Sequence, residues 1–443
     1  MRSPTGSRRR ILILVLIFFT ALGVRFLNWH AHRSELSKVQ TNVTLNYKHL
    51  ARLIQENGFT SLYNASSNTS NPDLLGHPPG YPIVLAMIYK FAPESDTAVE
   101  IFQMILDSLC ALIISLIAWK LMPAAVGVIA GLMAAFAPQF SWNSLLLLPD
   151  SLATLPILLA VYLIIQSRNK PRLLYLLTAG SLIGLSCWLR ANALLLAPFM
   201  ALVFPFIFKR GERSSAILAF IGGACLLIAP LTIRNAVVFG KFIPVSLGAG
   251  QTLIEGLADY NTDGSFGLPQ TDIELIRQEA EAAHRPDYAS SLFSPDGIAR
   301  DRARMTRGLT VIRAHPIWFF SVMVRRAISM LRLERTPLRL ATTESAGWLN
   351  LFQSLLRGLQ KLFVTAIILP FVLIGASLMI YKRQIQTLAI LLMVPFYYFC
   401  IQSALHTEYR YVLVIHYFLF ALAAFALYTI GSEISHKLQA KPV

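Results

Sequence analysis

Charge is scarce in this chain. Asp, Glu, Lys and Arg make up 14% of it, against about 25% in an ordinary soluble domain. That scarcity excludes a well-solvated globular protein, and a hydrophobic share of 55% with a mean hydropathy of +0.56 points to a polytopic membrane protein. Acid is scarcer than base, with 23 residues against 39. The net charge of +16 follows the excess of Lys and Arg in cytoplasmic loops and calls for no nucleic-acid partner. Cysteine is rare too. Cys110, Cys187, Cys225 and Cys400 lie in or beside apolar runs without CxxC or Cys/His spacing, so neither a disulfide framework nor a zinc site follows. There is no P-loop and no GxSxG, and Gly248-Ala249-Gly250 lacks the strand and helix that a dinucleotide fingerprint requires. No internal repeat stands out, which counts against transporters built from inverted halves.

What is present is a succession of apolar runs, at 11–28, 100–119, 122–140, 150–166, 173–189, 191–208, 214–232, 358–379, 384–403 and 411–430. Each approaches the length of about 20 residues that crosses a bilayer as helix. The first follows Arg8-Arg9-Arg10 and leads straight into Arg25-Phe26-Leu27, with no small-residue cleavage site, and reads as an uncleaved span. The expected fold is therefore all-α and polytopic, with about ten transmembrane helices and two sizeable outer loops. It divides into a tail and first span (1–28), a first outer loop (29–99), spans two to seven (100–232), a second outer segment (233–357), spans eight to ten (358–430) and a tail (431–443). A cytoplasmic N-terminus puts Arg168/Lys170/Arg172, Lys209/Arg210/Arg213, Lys382/Arg383 and Lys437/Lys441 all on the inner side, as the positive-inside rule asks, with both termini inside.

The outer segments mix apolar and aromatic residues with turn formers. In "YKHLARLIQENGF", Tyr47, Leu50, Leu53 and Ile54 fall at helical spacing and Gly58 marks a stop. In "GHPPGYP", three prolines within five residues fix three φ angles and remove three donors, so residues 76–82 form a rigid turn. "IRAHPIWFFSVMVRRAISMLRL" is apolar on one side and basic on the other, which suits a helix on the membrane surface or a short extra span.

With that topology drawn, the unusual polar residues collect on one face. His77 and Tyr81 stand in the first outer loop, Pro149-Asp150 opens span four, Arg190-Ala191-Asn192 joins spans five and six, Arg234-Asn235 ends span seven, and His406, Glu408, Tyr409 and Arg410 join spans nine and ten. Such groups at bilayer depth mark a site or a wet cavity. Arg190, Arg234 and Arg410 suit bidentate contact with phosphate oxygens, and Asp150 or Glu408 suits a divalent cation or a sugar hydroxyl. Together they fit an anionic headgroup attached to lipid. Each has a plainer reading. Single arginines at span ends anchor helices in the interface, Asp150 in "PDSLATL" suits a helix cap, His77 suits a turn contact, and Asp107 within span two suits a hydrogen bond to a neighbouring helix.

These segments resemble, in order, a known family. "YKHLARLIQENG", "GHPPGYPIVLAMIY", "LLPDSLATLPILL", "WLRANALLLAP", "APLTIRNAVVFGKFIPV" and "EYRYVLVIHYFLF" are similar to the bacterial branch of the C-type glycosyltransferases, which are polyprenyl-phosphate-sugar-dependent enzymes related to protein O-mannosyltransferases and to the aminoarabinose transferase of lipid A. The resemblance runs from about Arg25 to Leu427. It implies a multi-pass protein of the bacterial inner membrane with a periplasmic site, membrane lipids and a polyprenyl-phosphate sugar as partners, and inverting transfer to an acceptor. It implies no covalently bound cofactor and leaves room for a divalent metal ion at Asp150. The donor phosphate would fall to Arg190, Arg234, Arg410 and Tyr409, and the sugar or acceptor to His77, Tyr81, Tyr47 and Glu408. One departure stands out. Relatives carry an acid about four positions before the tyrosine matched by Tyr47, where this chain has Val43 beside Asn42. The catalytic carboxylate then falls to Asp150, or after a shift of register to Asp73, Glu56 or Glu35, or else the chain is a non-catalytic lipid-sugar binding protein or transporter on the same scaffold. Asn42, Asn64 and Asn68 open N-x-S/T sequons, which have no role in a bacterium.

Overall fold

The computed structural model describes residues 4–36, 42–58, 76–334 and 347–439. Every regular element among them is helical. The chain opens with α1 (Pro4–Leu36), then α2 (Asn42–Asn57), α3 (Gly80–Phe91), α4 (Asp96–Leu121), α5 (Ala124–Phe136), the short α6 (Pro138–Asn143), α7 (Asp150–Ser167) and α8 (Leu173–Leu189). After two short pieces, α9 (Leu196–Ala201) and α10 (Phe204–Ile207), comes α11 (Arg213–Phe239). A helical cap follows in α12 (Ala249–Ala258), α13 (Asp272–Ala283), α14 (Gly297–Ala314) and α15 (Pro316–Met330), and the chain returns through α16 (Gly347–Gln360), α17 (Thr365–Tyr381), α18 (Ile385–Cys400) and α19 (Leu413–Gln439).

All ten apolar runs are helical, but they are not ten equal spans. Six helices among the described residues are long and apolar enough to cross a membrane, or seven if 349–360 and 365–381, bent by 55° at the break between them, count as one. Three departures have local causes. The run at 122–140 is cut by Pro123 and Pro138, leaving the thirteen residues of α5. The run at 191–208 breaks into a 3-10 turn, α9 and α10, because Pro205 has no N–H to continue the ladder. The run at 173–189 is helical throughout but only 17 residues long.

The core runs continuously through the bundle and is dense with small residues. A Cβ on Gly180 would overlap the Phe220 carbonyl, and one on Gly223 the Leu177 carbonyl, so α8 and α11 lie backbone to backbone in the manner of membrane helices with small residues at the seam. Asp107 is fully enclosed there. Its carboxylate accepts from Arg25 Nε at 2.7 Å and Tyr417 Oη at 3.0 Å, while Arg25 also donates to the carbonyls of Ala21 and Ala135. Of the two readings of Asp107, this is the hydrogen bond between helices, and it ties α1, α4 and α19 together.

On the loop-bearing face, α2 buries Tyr47, Leu50, Ala51 and Ile54 against Tyr81, Leu85 and Tyr89 of α3, which is the stripe the spacing predicts. Gly58 takes a φ of 71° and closes α2 as a left-handed stop does. Pro78 and Pro79 form the turn before α3, and Pro82 falls in its first turn, where a missing N–H costs nothing. Gly80 is required by space, since a Cβ would collide with the Trp188 carbonyl on α8. The turn is thus clamped onto the bundle.

The cap is held by ions rather than by a large core. Glu279 on α13 accepts from Arg300 at 2.8 Å and from Arg304 at 2.6 Å, both on α14, and Thr271 caps α13 by accepting from Glu274 N. The helix α15 differs from the membrane-surface face expected for Arg325 and Arg326. Ile317, Phe320 and Ile328 are exposed, but Arg326 is buried, donating to the carbonyls of Ser403 and Gly256 and pairing with Asp259 at 3.6 Å. Only Arg325 stays on the exposed side. A guanidinium with two carbonyl acceptors and a carboxylate within reach is better satisfied inside than at a headgroup. Arg326 therefore docks the cap onto the 401–408 connection, where His406 N also donates to the Thr252 carbonyl.

Candidate functional site

Three of the connections between helices converge. The start of α7 brings Asp150, the residue after α8 brings Arg190, and the link from α18 to α19 brings Glu408, Tyr409, Arg410 and Tyr411. Arg190 Nε donates to Asp150 Oδ1 at 2.8 Å, with a second guanidinium nitrogen 2.5 Å from the same oxygen. Arg410 meets Glu408 fork to fork at 2.7 and 2.8 Å, and Tyr411 Oη donates to Glu408 at 3.2 Å. Both guanidinium groups lie over the Tyr411 ring, at 4.1 Å for Arg190 and 5.2 Å for Arg410. Two cations share one aromatic ring, each partly neutralised by its own carboxylate.

This arrangement changes the reading of Asp150. Pro149 occupies the cap position and no side chain caps α7, so the Asp150 carboxylate turns to Arg190 and fixes it. Its second oxygen is buried without a partner. For Glu408, burial raises the carboxyl's pKa, but the hydrogen bonds and charge of Arg410 outweigh it and hold it below its usual value.

The proline turn forms the wall beside these ions. The His77 ring packs 5.2 Å from the Tyr47 ring, and Tyr47 packs against Tyr81 within electrostatic reach of Arg190 and Asp150. Tyr81 is committed inward, donating to Gln103 at 2.8 Å. Burial, then the positive charges of Arg190 and Arg410, push the His77 pKa down from 6.5 to about 4. Because the folded value lies below the unfolded one, His77 is neutral at no cost above about 6.5 and increasingly opposes folding as the pH falls toward 4. Acidification from pH 7.5 to 5 should therefore lower the unfolding midpoint of the detergent-solubilised wild type more than that of His77→Gln, whose side chain takes up no proton; equal losses would remove His77 as the cause.

A cavity of about 270 Å³ opens next to the ion pairs, lined by Thr44, Glu100, Glu408, Tyr409 and Arg410, with Leu145–Leu148 as its apolar wall. Glu100 was not among the expected residues. It sits one turn into α4, behind the Ser95 cap, and its signal in the sequence was an acid at the first position of an apolar run. Tyr411 was missed as well, since nothing in "EYRYV" distinguishes which tyrosine the arginines stack on.

Other expected residues lie elsewhere. Arg234 is buried, donating to Asn235 Oδ1 at 2.8 Å and standing over the Phe239 ring, while Asn235 holds the carbonyls of Ile243 and Val245; this braces the turn after α11. Glu56 is exposed on α2. Asp73 lies outside the described residues, as do Asn64 and Asn68. For a divalent metal at Asp150 the residues do not fit: Arg190 occupies one carboxylate oxygen, and no group of three His, Cys, Asp or Glu side chains gathers among the described residues.

With this geometry in place, comparison with known proteins is informative. The model of the dolichyl-phosphate-mannose-protein mannosyltransferase family matches residues 76–233, from the proline turn to within the helix α11, one residue short of Arg234. The archaeal oligosaccharyltransferase AglB from Archaeoglobus fulgidus, solved with an inhibitory peptide and a dolichol-phosphate, superposes with a TM-score of 0.56 at 15% identity, covering 100% of this chain and 53% of that one. The fold is that of this oligosaccharyltransferase's membrane part. The same oligosaccharyltransferase with zinc and sulfate matches at 0.53 and 14% identity, covering 95% and 49%, so the chain spans about half the length of the oligosaccharyltransferase structures it matches. ArnT from Cupriavidus metallidurans bound to undecaprenyl phosphate aligns over 98% of this chain and 79% of its own at 14% identity, with a TM-score of 0.38, too low to bear on the fold. No curated protein sequence matches significantly.

Proposed function

We propose that the chain is an integral-membrane glycosyltransferase that moves a sugar from a polyprenyl-phosphate donor to an acceptor on the periplasmic face. The observation that carries this reading is the pair of guanidiniums, Arg190 and Arg410, over one tyrosine beside a half-open cavity. Each arginine is held in place by a carboxylate and retains unused N–H donors, the arrangement that suits phosphate oxygens. The dolichol-phosphate held by AglB supports the same class of substrate here. In an inverting transfer the acceptor oxygen attacks the anomeric carbon from the face opposite the lipid phosphate. The bond to the phosphate oxygen breaks as charge grows on it, and preorganised cations lower the barrier by meeting that charge. Tyr409, which lines the cavity beside Arg410, is proposed for the donor phosphate, and His77 and Tyr47, stacked on each other beside the ions, for the sugar or acceptor.

A second reading is a lipid-sugar binding protein without turnover. Val43 favours it, standing where relatives carry an acid. One assay separates the two. Purified protein in detergent is given a panel of radiolabelled polyprenyl-phosphate sugars with acceptor-containing membrane extract, and free lipid phosphate is followed with and without chelator. The expected result is release from at least one donor. Saturable binding with no release across the panel would overturn the transferase in favour of the binding protein.

A further inference from the structure

Each carboxylate near the site can be asked whether it has an oxygen free for a proton. Asp150 gives one oxygen to Arg190, and the other is sealed in protein. Glu408 gives both to Arg410. Glu56 points to solvent. Glu100 differs from all three. Trp29 Nε1 donates to its Oε2 at 2.7 Å, its Oε1 takes no hydrogen bond among the described residues, and the side chain lines the cavity shared with Thr44, Tyr409 and Arg410.

We propose that Glu100 is the general base of the transfer, filling from α4 the place that Val43 leaves empty on α2; this rests on the transferase reading above. The geometry supplies what a base needs. One oxygen is oriented by a fixed donor, since Trp29 is itself locked in a cluster with Trp142 and Leu145. The side chain lines a space bounded by leucines and by Arg410 of the proposed phosphate anchor, so proton acceptor and leaving-group anchor share one cavity. In the step, the acceptor O–H proton passes to Glu100 Oε1 as the acceptor oxygen bonds the anomeric carbon. The carbon–oxygen bond to phosphate breaks with its electron pair, leaving the lipid phosphate on Arg410 and Arg190. Thr44, one residue beyond Val43, borders the same cavity. The departure in α2 therefore leaves the cavity with an acid, supplied from the facing helix.

The test compares Glu100→Gln with Trp29→Phe in the full-length protein, using a donor on which the wild type turns over. Gln keeps an acceptor for Trp29 and a similar volume, so the fold is preserved. Expected are a fall in kcat of about 10²- to 10⁴-fold in Glu100→Gln, affinity for undecaprenyl phosphate within about threefold of wild type, and less than about a tenfold loss of kcat in Trp29→Phe. Turnover by Glu100→Gln within about tenfold of wild type would overturn the assignment, as would equal losses in both variants with lowered unfolding midpoints, which would make Glu100 a brace for Trp29. A wild type inactive with every donor would remove the transferase reading and the base together, whereas an active wild type with an active Glu100→Gln removes Glu100 alone.

Discussion

Arg190→Lys is expected to lower kcat for sugar transfer by about 10²- to 10³-fold, the usual loss when one preorganised donor to a developing oxyanion is removed. Lysine keeps the charge but not the fork, and it cannot both hold Asp150 and present further donors to a phosphate. It also loses the planar stack on Tyr411, 4.1 Å away in the wild type. Alanine would be a poorer probe because it strands the buried Asp150 charge, and the loss of fold would mask the loss of chemistry. Asp150→Asn should move activity in the same direction but less, since Asn still accepts from the guanidinium. The double variant should lose less than the sum of the two, as residues acting through one contact do. Steady-state kcat and donor KM, with unfolding midpoints measured alongside, decide the matter. Full additivity would mean that Asp150 acts separately from Arg190, and an unchanged kcat in Arg190→Lys would take the arginine out of the phosphate site.

The sequence made the helical bundle legible because apolar runs near 20 residues have one solution in lipid, where every backbone group must be satisfied within its own helix. It did not show how those runs would be divided into helices. Hydropathy does not register that Pro123, Pro138 and Pro205 cut helices short, nor that α16 and α17 meet at 55°. The convergence of Asp150, Arg190 and Arg410 was legible because charged groups in apolar surroundings are costly and therefore carry information. Which charges pair with which was not. Arg234 reads just like Arg190 in a string of letters, yet it donates to its neighbour Asn235, and Arg326 reads as a surface charge yet docks the cap. Glu100 escaped notice because its meaning depends on what faces it across the cavity, namely residues 308 and 310 positions away in the chain that only the folded molecule brings near.

The other large effect is expected far from the site, at Asp107. Neutralising it as Asp107→Asn should cost about 3–5 kcal/mol of stability, because Arg25 would then remain fully enclosed without a counter-charge while its hydrogen-bonding geometry is largely kept. Arg25→Gln should cost a similar amount by stranding the carboxylate. The pair together predicts something neither single change does. In Arg25→Gln/Asp107→Asn no buried charge is left uncompensated, the two amides can still bond to each other, and the unfolding midpoint should recover above that of either single variant. Tyr417→Phe, which removes one hydrogen bond to Asp107, should cost only about 1–1.5 kcal/mol. A thermal unfolding series in detergent reads all four variants. A double variant less stable than both singles would mean that the pair is net stabilising beyond its charges. Transfer activity gives the second readout: if Asp107 only joins α1 to α4 and α19, the recovered double variant turns over at the wild-type rate, and if Asp107 carries a proton or substrate through the bundle, it does not.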